Sequence, residues 1–285
     1  MSAFRRTPSF KYPPVGICIY CGCADGPLTD EHPIPLSLGG HLVLPKSSCR
    51  NCANKTLYFE GVTARTTFGK LRMRYNFPTR RRKARPAELE IGVINRDGTP
   101  KRRMVPATDY PAVVFLPHFG RAGFFVGNNP NIDTLYWKGK AHPTVNVDEH
   151  MALYGFDGVY EAKFMPHELG QTIIKICYAY AIAELGIDSF EPVCLPQILG
   201  KDNNISYIFG QKGETQPEAG DTIIWKITLA YIVSRSMPPV LTAQCVFLEK
   251  MGMPIYEVVL GFIRNFDQFA VMKDKISNYS LVNQF

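Results

Sequence analysis

The 285 residues are 46% hydrophobic and 20% charged, which describes a globular chain with a sizeable core and excludes a disordered one. No apolar run reaches the ~18 residues that a membrane helix needs, and the basic, polar opening MSAFRRTPSFKYPP lacks the apolar segment of a secretory signal. A cytoplasmic protein with no membrane association is expected.

The net charge of +7 is uneven, with 19 Lys/Arg against 8 Asp/Glu in residues 1–110 and 13 against 17 in the remainder. A basic half suits a phosphate-bearing partner, or it is simply a solvated face. Eight cysteines in a reducing compartment point to metal ligands or buried thiols rather than disulfides.

In chain order, Pro13-Pro14 marks residues 1–16 as an irregular arm. Two Cys-x-x-Cys knuckles follow, Cys18/Cys21 and Cys49/Cys52, with 27 residues from Gly22 to Ser48 between them. Each tight turn offers two thiolates that can reach one ion at about 2.3 Å, so the four cysteines are expected to hold a structural Zn2+, with a hairpin projecting between the knuckles. Cys23 is read as a bystander, because Cys-x-Cys cannot present the same turn. Cys177, Cys194 and Cys245 lie in apolar runs and read as core thiols.

Residues 53–74 read as a helix, weakened by Gly61 and Gly69. Tyr58, Phe59, Phe68, Tyr75 and Phe77 interleave there with basic residues and are expected to pack against the neighbouring part of the chain. The run Arg80-Arg81-Arg82-Lys83 reads as an exposed linker or arm, either solvated or lying on a nucleic-acid backbone. Residues 89–94 and 101–105 form a hairpin through Asn95-Arg96-Asp97-Gly98. Residues 112–116 and 123–126 are short apolar runs, and 138–150 read as irregular. Residues 168–185 carry apolar side chains beyond one stripe and predict a core helix capped by Gly186. Runs at 222–233, 240–248 and 255–263 predict an antiparallel meander packed on that helix.

The expected fold class is therefore α+β. A small zinc-stapled module occupies 1–75, a basic linker and hairpin 76–110, and a larger mixed domain 111–285. That last domain would serve recognition, dimerisation or regulation.

The segment between the knuckles reads Asp30-Glu31-His32-Pro33-Ile34-Pro35, Leu38-Gly39-Gly40, His41-Leu42, and the second knuckle continues as Cys49-Arg50-Asn51-Cys52-Ala53-Asn54-Lys55-Thr56. Residues 15–62 resemble the HNH nuclease family in its four-cysteine, ββα-metal form. The resemblance implies that His32 is the general base and that Glu31 is a ligand of a catalytic Mg2+ or Mn2+. His41 stands where the family has the Asn that orients the base. The family's further ligand at the start of the helix falls on Ala53, so Asn54 is taken as the second metal ligand, with Asn51 and Glu60 next in line. The implied activity is metal-dependent hydrolysis of DNA phosphodiester bonds, with RNA not distinguished from DNA, and a homodimer would allow double-strand cuts. Arg50 and Lys55 would contact phosphate near the helix start.

The chemistry is consistent with those residue types. A neutral imidazole can take a proton from water near neutral pH, and a hard cation held by oxygen donors can clamp a phosphate. Blander readings stay open. His32 can be structural or a zinc ligand, Glu31 can pair with a neighbouring Lys or Arg, and His41 can be a turn residue. The rival function is a non-catalytic zinc-dependent nucleic-acid-binding protein. His118, His142, His150 and His167 show no ligand spacing and read as non-catalytic.

Overall fold

The computed structural model describes residues 9–79, 85–110, 113–143, 156–159, 165–218 and 224–263, together with 149, 265, 267, 269–270, 273, 276 and 278–281. The fold is α+β. Strand β1 (Phe10–Lys11) runs parallel to β3 (Leu42–Cys49), and β2 (Leu28–Glu31) pairs antiparallel with β3 in the order β1-β3-β2. The β2/β3 register runs Thr29↔Ser48 and then Glu31↔Leu44, an irregularity at Asp30 that turns Glu31 inward. Between the strands, a one-turn 3-10 helix at Leu36–Leu38 ends on Gly39 at φ +90°. Gly40 passes so close to Ile34 that a Cβ there would lie 1.9 Å from the Ile34 carbonyl oxygen. Only the Gly39-Gly40 pair fits this turn.

Helix α1 (Arg50–Arg65) starts directly after Cys49 and buries Cys52, Thr56, Phe59 and Thr63, one stripe at helical spacing. A shorter α2 (Gly69–Arg74) follows. The helix expected over 53–74 is thus broken at residues 66–68. Gly61 lies within α1 without ending it, and Gly69 opens α2, because burial of Phe59 and Phe68 outweighs local propensity.

The hairpin forms as expected between β4 (Glu88–Asn95) and β5 (Pro100–Pro106), with Gly98 at φ +81° in the turn. Strands β6 (Val113–Phe119) and β7 (Trp137–Pro143) make a second antiparallel pair, flanking the one-turn helix α3 (Gly123–Val126). One sequence expectation is corrected by β7. Residues 138–143, expected to be irregular, belong to this strand, and the short apolar run at 123–126 is a helical turn. The β6 partner organises the polar segment, which has no apolar alternation of its own. A short β8 (Phe156–Val159) adds to β4.

Helix α4 (Pro166–Leu185) starts with Pro in its first turn beside Glu168 and buries every residue from 169 to 179. Strand β9 (Glu191–Pro192) and helix α5 (Leu195–Ile198) lead to the main sheet. That sheet is β10 (Phe209–Glu214), β11 (Trp225–Val233), β12 (Val240–Phe247), β13 (Pro254–Phe262) and β14 (Asn278–Leu281), ordered β10-β13-β12-β11-β14, with β9 on β13. Strands β11, β12 and β13 are the expected antiparallel meander, and it packs against α4.

The buried core does not stop at residue 75. One continuous cluster joins Cys18, Leu38, Leu44, Phe59 and Phe68 to α4 and the main sheet, whereas Leu89, Ile91, Val93, Val105, Ala107 and Tyr110 form a small separate cluster around the hairpin. Phe68 packs against Phe247 with the rings tilted and their centroids 4.6 Å apart, and the Trp225 indole N–H donates to the Leu38 carbonyl at 2.7 Å. Among the described residues no helix is long and apolar enough to cross a membrane. Phe68→Ala is expected to cost about 3–5 kcal/mol and to lower a single unfolding transition of the whole chain. Two separated transitions in calorimetry would show that the first 75 residues fold apart from the remainder.

Candidate metal centre and adjoining cleft

The knuckles flank the hairpin in sequence and meet at its open end, where Leu28 pairs with Cys49. In the first, the Gly22 amide donates to the Cys18 carbonyl at 2.8 Å and Gly22 adopts φ +72°, folding Cys18 and Cys21 onto one side of a tight turn. In the second, Cys49 ends β3 and Cys52 lies in the first turn of α1. The ligand atoms of Cys18, Cys21, Cys49 and Cys52 all lie within 4.8 Å of one another. The Cys21 and Cys49 sulfurs are 3.8 Å apart, which matches the ~3.8 Å edge of a regular tetrahedron with ~2.3 Å arms. Four thiols so placed can hold a metal ion such as zinc.

Burial pushes the Cys18 and Cys52 thiols up, whereas the Cys52 amide at the helix start brings Cys49 down to about 7. A cation at their centre offsets the cost of ionising the buried pair. Cys23 bonds the Asp25 carbonyl at 3.3 Å and stands outside this set, as its spacing implies. Cys177, Cys194 and Cys245 are core thiols.

A cleft of about 440 Å³ opens beside this unit, and Glu31, His32, Asn54 and Glu60 are among its lining residues. Three of the expected site residues and one of the expected substitutes thus come together. The end of β2 supplies Glu31 and His32, and α1 supplies Asn54 and Glu60. His41 and Asn51 are not among the lining residues. His41 precedes β3, and its carbonyl accepts the Phe10 amide at 2.9 Å. Arg50 and Lys55 are exposed on α1, with the Lys55 ammonium bonded to the Leu199 carbonyl at 3.1 Å. Arg80, Arg81, Arg82 and Lys83 lie outside the described residues. Of the interleaved aromatics, Phe59, Phe68, Tyr75 and Phe77 are buried in packing contacts, while Tyr58 is exposed.

Behind the cleft stands a residue that the sequence reading did not single out. Lys175 is fully buried, and its Nζ lies 2.5 Å from Glu31 Oε1 and 2.7 Å from Glu60 Oε1, and donates to the His32 carbonyl at 2.7 Å. Burial opposes the Lys175 charge, but the two carboxylates outweigh it and hold the ammonium above its ordinary value. Burial pushes Glu60 up, opposed by Lys175 and reinforced by Glu31. The Tyr20 hydroxyl is pushed up by burial and by the same two carboxylates. The one available signal was a lone lysine within an otherwise apolar helix, since charged side chains are almost never fully buried unless paired.

A second titratable cluster lies on the β6–β7 pair. The rings of His118 and His142 stack at 4.8 Å, with their Nε2 atoms 2.6 Å apart. His118 Nδ1 lies 3.2 Å from Glu214 Oε1, and Glu214 also pairs with Lys140 at 2.5 Å. The 24-residue separation hid this pair, which strand pairing creates.

Two outcomes are expected. The purified protein binds one Zn2+ per chain by elemental mass spectrometry, and Cys52→Ser abolishes that stoichiometry and lowers Tm. For the histidines, burial lowers both imidazoles in the folded chain, His142 to about 4, whereas they titrate near ~6.5 when unfolded. The stability they contribute is therefore complete above pH ~6.5 and is lost as pH falls toward 4. The urea midpoint should drop between pH 7 and pH 5 by less in His142→Gln than in wild type.

Searches against protein-family models, curated proteins and solved structures find no match, so what the cleft does is argued from its residues.

Proposed function

We propose that this protein is a metal-dependent endonuclease of the HNH kind that hydrolyses DNA phosphodiester bonds. The observation that carries this reading is the cleft beside the four-thiol centre, whose lining includes His32, Asp30, Glu31 and Glu60 at the junction of β2 and α1. The donor set is chemically suited to a hard divalent ion such as Mg2+ or Mn2+, because Glu31, Glu60 and the Asn54 amide all offer oxygen. Such an ion, when bound, would neutralise the scissile phosphate and the departing oxygen.

The chain's own residues would do the following. His32, as neutral imidazole, takes a proton from the attacking water as the P–O bond to the leaving group breaks. Glu31 and Glu60 hold the positive charge that faces the phosphate. The four-thiol centre keeps β2 and α1 in register so that these groups stay within reach of one another. The basic first 110 residues supply sequence-independent attraction to the nucleic-acid backbone.

A second reading has one specific observation in its favour. Lys175 already lies between Glu31 and Glu60, so the carboxylates are partly neutralised without any added ion. A zinc-stapled nucleic-acid-binding protein that breaks no bond would have no conflict with that arrangement. A plasmid-nicking assay with Mg2+ or Mn2+ separates the two. Wild type should nick, EDTA should stop it, and His32→Ala should lose about 10²–10⁴-fold in rate while retaining DNA in a gel-shift assay. DNA retention by both proteins with nicking by neither would leave only the binding reading.

A further inference from the structure

We propose that Lys175 is a positioning residue of the hydrolytic site, a built-in cation that holds Glu31 and Glu60 as one ligand pair of net charge −1 and pins the main chain at His32. The proposal rests on the nuclease reading for its consequence in catalysis, but not for its consequence in metal binding.

Three observations lead to it. The first is the burial and ion pairing of the ammonium. A lysine has three N–H donors, and Lys175 has three close acceptors, Glu31 Oε1 at 2.5 Å, Glu60 Oε1 at 2.7 Å and the His32 carbonyl at 2.7 Å, with the Pro33 carbonyl farther off at 3.4 Å. The residue is fully buried behind the cleft rather than lining it, and so is out of reach of a substrate phosphate. Lys175 therefore acts through the groups it holds. Because both carboxylates touch one ammonium, their bonded oxygens are no more than about 5 Å apart. Two carboxylates at that separation can share one ion.

The second observation is the charge of the cleft. Among the described residues its lining includes Asp30, Glu31 and Glu60 and no Lys or Arg, although residues 1–110 of this chain are strongly basic. Without Lys175 the inner carboxylate pair would carry −2 in a buried place, with no counter-charge at 2.5–2.7 Å. With it, the pair stays available at −1, which suits a single divalent cation more than two.

The third is that stability does not account for the residue. A buried ion triad is often no more stable than well-packed apolar side chains of the same volume, and the neighbours on α4 are Ile174 and Ile176. Lys175 also reaches from α4 to the backbone of the proposed base itself, where Pro33 and Pro35 prevent a regular strand. This assigns Glu60, alongside Glu31, as a carboxylate ligand and leaves Asn54 a neutral neighbour.

The test measures Mn2+ binding by calorimetry and electron paramagnetic resonance at pH 8, with the zinc centre loaded. Lys175→Met removes the charge at nearly constant volume. It should bind Mn2+ at least tenfold more tightly than wild type, because a positive charge a few ångströms from the ion is gone. It should nevertheless nick plasmid at least tenfold more slowly, and Lys175→Arg should recover part of that rate. A purely structural lysine would not raise affinity for a cation. Unchanged or weaker Mn2+ binding by a folded Lys175→Met protein overturns the proposal. Faster nicking overturns it too, because Lys175 would then be a plug in the ion's place.

Should Lys175→Met fail to fold, Glu60→Gln carries the same test. It keeps the shape, and Mn2+ affinity should fall at least tenfold with Tm little changed; unchanged affinity overturns the role of the pair. If wild type binds Mn2+ as described but cuts no DNA, the nuclease reading fails and the metal-pair assignment stands.

Discussion

One buried ammonium links the two halves of this molecule. Lys175 is carried on α4, whose surroundings are Ile, Ala and Tyr, and its charge is satisfied entirely by groups from β2, the following turn and α1. An unpaired charge in such a place costs several kcal/mol, so α4 and the β2-β3-α1 unit are held in one relative position. The Thr63–Thr172 hydroxyl contact at 2.9 Å and the Tyr178 hydroxyl on the Ile19 carbonyl reinforce the same joint. The four-thiol unit therefore shares one buried core with the later part of the chain, and Lys175 lies behind its cleft.

Electrostatics and geometry pull in different directions across this surface. The first 110 residues carry the positive charge, yet the cleft within them is lined by acids. A basic exterior attracts a polyanion at long range, and an acidic cleft rejects it at short range unless a cation lies between. Lys55, bonded to the Leu199 carbonyl, serves the joint between α1 and α5 in this structure.

Much of the architecture was legible in the residues. The Cys-x-x-Cys spacing foretold the four-thiol cluster, Asn95-Arg96-Asp97-Gly98 foretold the hairpin, and the apolar excess of residues 168–185 foretold a core helix under an antiparallel meander. Each is a local signal: a turn, a period or a pair of ligands close in sequence. The break between α1 and α2, strand β7 and the His118–His142 pair were not legible, because each depends on a partner far along the chain. His41 illustrates the same point from the other side. A motif position suggested a role beside His32, but the Gly39-Gly40 turn carries it to the start of β3, outside the cleft lining.

The residue pattern by itself determined the α+β class, the cluster of four cysteines and the presence of Glu31 and His32 between the two knuckles, since these follow from short-range spacing and backbone chemistry. Only the tertiary structure decided which groups meet Glu31. Asn54 and Glu60 occupy the same helix and both face the cleft, and nothing local ranks one above the other. The ranking comes from Lys175, more than a hundred residues away, because a buried charge selects the carboxylates that can neutralise it.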